Sequence, residues 1–126
     1  MKRARDTEKK RRARRIVSYL KKAYPKPKSE LLHGTPFQFV VAVALSAQCT
    51  DKTVNKVTRT LFKKYKKPSC FANADPRVFE REISSVTFFR NKARHVIAAA
   101  KMVRDIYGGR VPKTARELQT LPGVGY

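Results

Sequence analysis

The sequence predicts an all-α protein, and three observations carry that expectation. Apolar residues recur at helical spacing in one segment after another, capping residues or prolines stand at the heads of those segments, and strand signals are weak throughout. The one β-prone run, Val86 to Phe89, is too short and isolated to build a sheet. The expected architecture is about seven helices joined by short loops.

After a basic start, Ile16, Val17, Tyr19, Leu20 and Ala23 form the first apolar stripe, which Pro25 and Pro27 end. Thr35-Pro36 reads as an N-cap followed by proline at the first helical position, and Phe37 to Ala47 is apolar enough to be a central, buried helix. Thr50 or Asp51 caps the next helix. Its buried stripe is Val54, Val57, Leu61 and Phe62, its solvent face carries Lys52, Lys56, Arg59, Lys63 and Lys64, and Pro68 is expected to close it. A turn from Cys70 to Ala74 leads to Asp75-Pro76 and a brief helix through about Ile83. Residues 90 to 107 set Ala93, Val96, Ile97, Ala100, Val103 and Ile106 or Tyr107 on one face before Gly108-Gly109 stops them. Thr114-Ala115-Arg116-Glu117 is a capping box that opens a last short helix into Leu121. No internal repeat or Gly/Ser linker intervenes, so the chain divides into a basic arm with the first helix, residues 1–28, and a helical domain, residues 29–126.

Charge narrows the function classes. Thirty Lys and Arg against nine Asp and Glu leave a formal charge of +21, far more than solubility requires, and a polyanion is the economical partner. Residues 1–28 hold thirteen of the basic side chains and two acidic ones, a handle for phosphates that reads no sequence. Membrane binding is disfavoured, because between Lys9 and Arg15 only Ala13 is apolar and no apolar run approaches a membrane span. The charged N-terminus is unlike a signal peptide, so an intracellular location is expected, in the cytoplasm or nucleoid, or in a nucleus. Cys49 and Cys70 stand at no short metal-ligand spacing and are expected to be reduced and structural; no metal site is expected, and His95, on a strongly helical stretch, is expected to be a surface or boundary residue.

Three short segments suit a nucleic-acid backbone. Leu121-Pro122-Gly123-Val124-Gly125 is a tight turn whose small residues leave backbone N–H groups open to a phosphate, and a second helix is expected to begin near Gly125. An ordinary Pro-Gly turn is the competing reading, which the charge disfavours. Gln48 lies in the loop between the most apolar helix and a basic one, where its amide either bonds nearby backbone or reaches an orphaned base. Phe88-Phe89-Arg90-Asn91-Lys92 sets two aromatics beside two cations, a wedge for a base stack or simply core.

From Pro36 to Gly125 this sequence resembles the endonuclease III family of DNA glycosylases, within the helix-hairpin-helix glycosylase superfamily. The resemblance rests on Leu-Ser-Ala-Gln-Cys-Thr-Asp at 45–51 with Val54-Asn55-Lys56, Phe-Phe-Arg-Asn-Lys-Ala at 88–93, Gly109-Arg110-Val111-Pro112 and Leu-Pro-Gly-Val-Gly at 121–125. It implies a helical-barrel domain, incomplete at the C-terminus, in a base-excision repair enzyme that flips a damaged, oxidised pyrimidine and cleaves its glycosidic bond. A lysine nucleophile then allows lyase cleavage at the abasic site. The partner implied is double-stranded DNA bearing a damaged base or an abasic site, bound by a monomer. Gln48 matches the glutamine that fills the gap, Phe88 the wedge, and Leu121, Pro122, Gly123, Val124 and Gly125 the phosphate-binding hairpin. Lys56 and Lys92 are assigned to backbone contacts.

The same resemblance places the catalytic lysine just after Tyr126, the aspartate later, and the four cysteines of a 4Fe-4S cluster later still. The 126 residues alone are accordingly expected to be inactive, to hold no cofactor, and to leave apolar faces of the 36–47 and 90–107 helices uncovered. Tyr126 stands where arginine is common, and Thr87 where glycine is common before the wedge. The alternatives are a monofunctional mismatch or adenine glycosylase of the same superfamily and a non-catalytic DNA-binding module. Duplex binding by this chain is expected to be sequence-independent and steeply salt-dependent. Deleting residues 1–15 should lower both the affinity and the slope of log affinity against log salt in an anisotropy titration; unchanged values would remove the tail from binding.

Overall fold

The computed structural model describes residues 10–18 and 35–124. Tyr19, Leu20, Ala23, Pro25, Pro27, the division at residue 28, Gly125 and Tyr126 lie outside the described residues. Among the described residues the architecture is helical, with no strand. Helix α1 covers residues 10–18, followed by α2 (Pro36–Ser46), α3 (Asp51–Lys64), α4 (Pro68–Ala72), α5 (Pro76–Glu82), α6 (Phe89–Asp105) and α7 (Ala115–Leu118).

Helix α2 is the centre of the fold. Every residue from Phe37 to Leu45 is buried, so the helix has no solvent face and the other elements wrap it. Helix α3 is amphipathic and turns Val54, Val57, Thr58 and Leu61 inward. Helix α6 buries Ala93, Val96, Ile97, Ala99, Ala100 and Val103 along one stripe and packs against α2, α4 and α5. Leu118 of α7 and Leu121 and Val124 of the hairpin complete the same core. The apolar faces expected to lie bare are therefore covered, and among the described residues only Phe88 and Ile106 are large apolar side chains left exposed.

Two local expectations are corrected. Helix α1 begins within the basic run, because Ala13 and Ile16 are both fully buried and anchor it to the common core. Pro68 does not close a unit but opens one, standing at the start of α4 after Lys67 in the extended conformation that a residue before proline adopts. The segment read as a turn, Cys70 to Ala74, consequently holds helical residues up to Ala72. An aromatic cluster stabilises this five-residue helix: the Phe71 ring stacks on Tyr65 at 5.2 Å and meets Phe37 edge-on at 5.3 Å and Phe79 at 6.1 Å.

A single buried polar residue joins α2 to α3. Gln38 accepts from the Thr35 N–H at 3.0 Å while Thr35 Oγ1 accepts from the Gln38 N–H at 3.1 Å, a reciprocal capping box. The other end of the Gln38 amide donates to the Phe62 and Tyr65 carbonyls at 3.1 and 2.8 Å, satisfying acceptors at the C-terminus of α3. Gln38→Leu fills the same space and orphans those carbonyls. It is expected to cost about 1–3 kcal/mol in a urea melt, and an unchanged midpoint would show that water replaces the amide.

Candidate nucleic-acid interface

The three segments singled out in the sequence meet at one end of the molecule, around the C-terminus of α2 and the N-terminus of α6. After α2 the chain passes Ala47, turns sharply at Gln48 and enters α3, where Thr50 Oγ1 accepts from the Thr53 N–H at 3.2 Å. Gln48 is exposed and has φ of 55°; Phe88, the residue before α6, is 60% exposed and has φ of 56°. These are the two described non-glycine residues in the left-handed region, which costs an L-residue about 1–2 kcal/mol. Strain of this kind persists where the surroundings fix it. Thr87 stands where the resemblance expects glycine, yet the left-handed residue is Phe88, so the turn is made by Phe88 itself.

Lys92, expected from the resemblance to contact the DNA backbone, turns its side chain inward here. It is 7% exposed, and its ammonium donates to the Leu45 carbonyl at 2.9 Å and the Ala47 carbonyl at 2.5 Å. A cation at a helix C-terminus meets unpaired carbonyls and the negative end of the helix dipole, so the contact is favourable although the group is desolvated. Burial lowers the Lys92 pKa, opposed by the nearby Cys49. The ammonium is directed at the carbonyls of the α2 terminus. Lys56 lies exposed on α3, in the basic face predicted for it.

The hairpin is held from below by its apolar residues. Leu121 and Val124 are fully buried; the Leu121 N–H donates to Leu118 and the Val124 N–H to Leu121, each at 3.1 Å. Both residues are thereby anchors, and Pro122 has no N–H, which leaves Gly123 as the described hairpin residue free to offer its amide outward. Gly123 has φ of 85°, and a Cβ there would lie 3.3 Å from His95 Cβ on α6 and 3.4 Å from Ala44 Cβ on α2. The turn therefore rests directly on the two helices that carry the Gln48 and Phe88 loops. Burial, with Arg94 close by, lowers the His95 pKa and favours the neutral ring under the turn.

Helix α1 also reaches this end. Arg12 Nε donates to the Val124 carbonyl at 2.7 Å, and Arg15 lies 3.8 Å from Asp51, the first residue of α3. Lys10, Arg11 and Arg14 are exposed alongside. The basic composition of the arm concealed which of its cations has a structural role; the signal for Arg12 was Ala13 and Ile16, whose spacing turns one face of the basic run inward. Positive potential thus converges from α1 and from the N-termini of α3 and α6, on a surface whose tips are one amide, one aromatic ring and one glycine amide.

The described residues hold no group of three or more His, Cys, Asp or Glu able to bind a metal. Cys49, in the loop between α2 and α3, and Cys70, on α4, are free and partly buried. No helix among the described residues is long and apolar enough to cross a membrane.

Comparison with known proteins agrees with this geometry. Residues 41–124 match the model of the HhH-GPD superfamily base excision DNA repair proteins. The chain is 48% identical over 102 residues to endonuclease III of Bacillus subtilis strain 168, covering 81% of this chain and 47% of that protein. It is 46% identical over 116 residues to endonuclease III of Synechocystis sp., covering 92% of this chain and 53% of that protein. A solved structure of a trapped endonuclease III–DNA covalent intermediate, an estranged-adenine complex, superposes with a TM-score of 0.75 at 42% identity, over 92% of this chain and 55% of that one. The chain spans about half the length of the relatives it matches.

Gly123→Ala tests the seat of the hairpin. The methyl group meets both the left-handed φ and the 3.3 Å approach to His95, so stability is expected to fall by about 1–2 kcal/mol. Duplex affinity at fixed salt should fall with it; a variant with the wild-type melt and affinity would show that the apex neither packs nor binds as described.

Proposed function

The chain is a member of the HhH-GPD superfamily of base excision DNA repair proteins, and on that premise we propose that the whole protein is a bifunctional DNA N-glycosylase and apurinic/apyrimidinic lyase for oxidised pyrimidines. This chain supplies the surface that opens the duplex. The observation that carries the reading is the pairing of Gln48 and Phe88: two exposed, left-handed loop tips flanking one buried ammonium, beside a glycine turn that suits a phosphate.

Each part has a distinct task in base flipping. Gly123 holds a backbone phosphate through its amide without reading sequence. Phe88 enters the stack beside the damaged nucleotide, at an unstacking cost of a few kcal/mol that apolar contact offsets. The Gln48 amide, both donor and acceptor, occupies the space of the extruded base and pairs with the orphaned partner. The exposed cations of α1 and α3, Lys56 among them, neutralise flanking phosphates. The nucleophilic lysine and the assisting aspartate belong, by the family pattern, to sequence following Tyr126, as does a 4Fe-4S cluster. The described residues offer no ligand set for that cluster. The protein works as a monomer on damaged duplex DNA, wherever the cell keeps that DNA.

The decisive experiment uses the product of the complete gene on duplexes containing one lesion each, with borohydride present. A covalent protein–DNA product on an oxidised-pyrimidine duplex is the expected result. Excision of adenine opposite oxidised guanine, or of mismatched thymine, without a trapped complex would replace this reading with that of a monofunctional glycosylase.

A further inference from the structure

We infer that Lys92 is a positioning residue that sets the separation of Gln48 and Phe88, so that the gap-filling amide and the wedge enter the duplex as one unit. The inference rests on the reading of the two tips given above. Lys92 touches both loops at once. Its backbone N–H donates to the Phe88 carbonyl at 3.0 Å, closing the first turn of α6, while its ammonium donates to the Leu45 and Ala47 carbonyls that lead into Gln48. Lys92 thereby links the strained residue Phe88 to the two carbonyls that precede the strained residue Gln48.

The chemistry of the two ends explains why a lysine stands there. At the C-terminus of α2 the Leu45 carbonyl has no intrahelical partner, and burial removes water as a substitute. The sharp turn at Gln48 swings the Ala47 carbonyl toward the same space. One ammonium with three donors satisfies both acceptors, and a four-carbon stem lets it do so from a neighbouring helix. Without those bonds the left-handed turn at Gln48 keeps only the Cys49 N–H bond to the Ser46 carbonyl, at 3.0 Å, to balance its cost, and the loop is freer to relax toward ordinary φ values. Phe88 would keep its place at the head of α6 while Gln48 moved relative to it.

The test uses the 126-residue chain and a duplex with a tetrahydrofuran abasic analogue opposite 2-aminopurine, whose fluorescence reports unstacking. Wild-type binding is expected to raise the signal. K92M should cut that rise by about three-fold or more, while affinity for undamaged duplex, which depends on α1 and the hairpin, stays within about two-fold. Adding Q48A to K92M should cause no further loss, and K92R, which keeps the charge and the donors, should recover much of the signal. If circular dichroism shows K92M unfolded, K92Q takes its place with the same expectations. A folded K92M or K92Q with the wild-type signal overturns the inference, as do independent, multiplying losses from Lys92 and Gln48. Absence of any rise with the wild-type chain overturns the underlying reading of Gln48 and Phe88 instead, and the inference falls with it.

Discussion

The structure depends on the burial of one helix on every side. Helix α2 has no polar face, so Phe37 to Leu45 generate the apolar surface that α3, α6 and the hairpin are folded to cover. Total burial has a second effect at the ends. A helix leaves N–H groups unpaired at one terminus and carbonyls at the other, and here solvent is largely kept from both. Thr35 and Gln38 serve the first end; Lys92 and the Ser46 hydroxyl, which donates to the Val43 carbonyl at 2.7 Å, serve the second. Polar side chains from other elements are drawn to the termini, and the C-terminal group becomes the hub of the interface.

The local chemistry at that hub combines opposite helix polarities. The C-terminus of α2 is negative and takes a cation; the N-terminus of α3 is positive and follows it in the chain, and that of α6 is positive and lies beside it in space. The chain enters α3 through a tight reversal at Gln48 and α6 through one at Phe88, and neither position uses the glycine that such geometry favours. A glycine would relieve the backbone but carry no side chain. Keeping an amide and an aromatic ring there costs backbone stability and, in the proposed function, supplies the reach into the duplex.

The fold was legible wherever a pattern was local. Thr35-Pro36, Thr50 and Asp75-Pro76 marked three helix starts correctly, because a cap and a proline act within one turn. Pro68 was misread for the same reason: an isolated proline signals a boundary without saying which side is helical, and the aromatic cluster around Phe71 that settles it draws on residues distant in sequence. Gln48, Phe88 and the hairpin were recognisable as motifs, whereas Lys92 was not. In a chain with 30 basic residues, nothing local separates a lysine directed at a phosphate from one directed at a helix terminus. Only its position on the inner stripe of α6, one residue before Ala93 and four before Val96, hinted at burial.

The bond from Arg12 to the Val124 carbonyl changes how the basic helix acts on a polyanion. A cation on a loose tether searches a volume set by its linker, whereas a cation on a docked helix is already at the place where the turn meets its phosphate. The second contact then forms at high effective concentration once the first is made. In the proposed binding mode, release requires both contacts to break within the same brief interval, so the tie between α1 and the turn is expected to lengthen the dwell time at each phosphate without adding any preference for one base sequence over another.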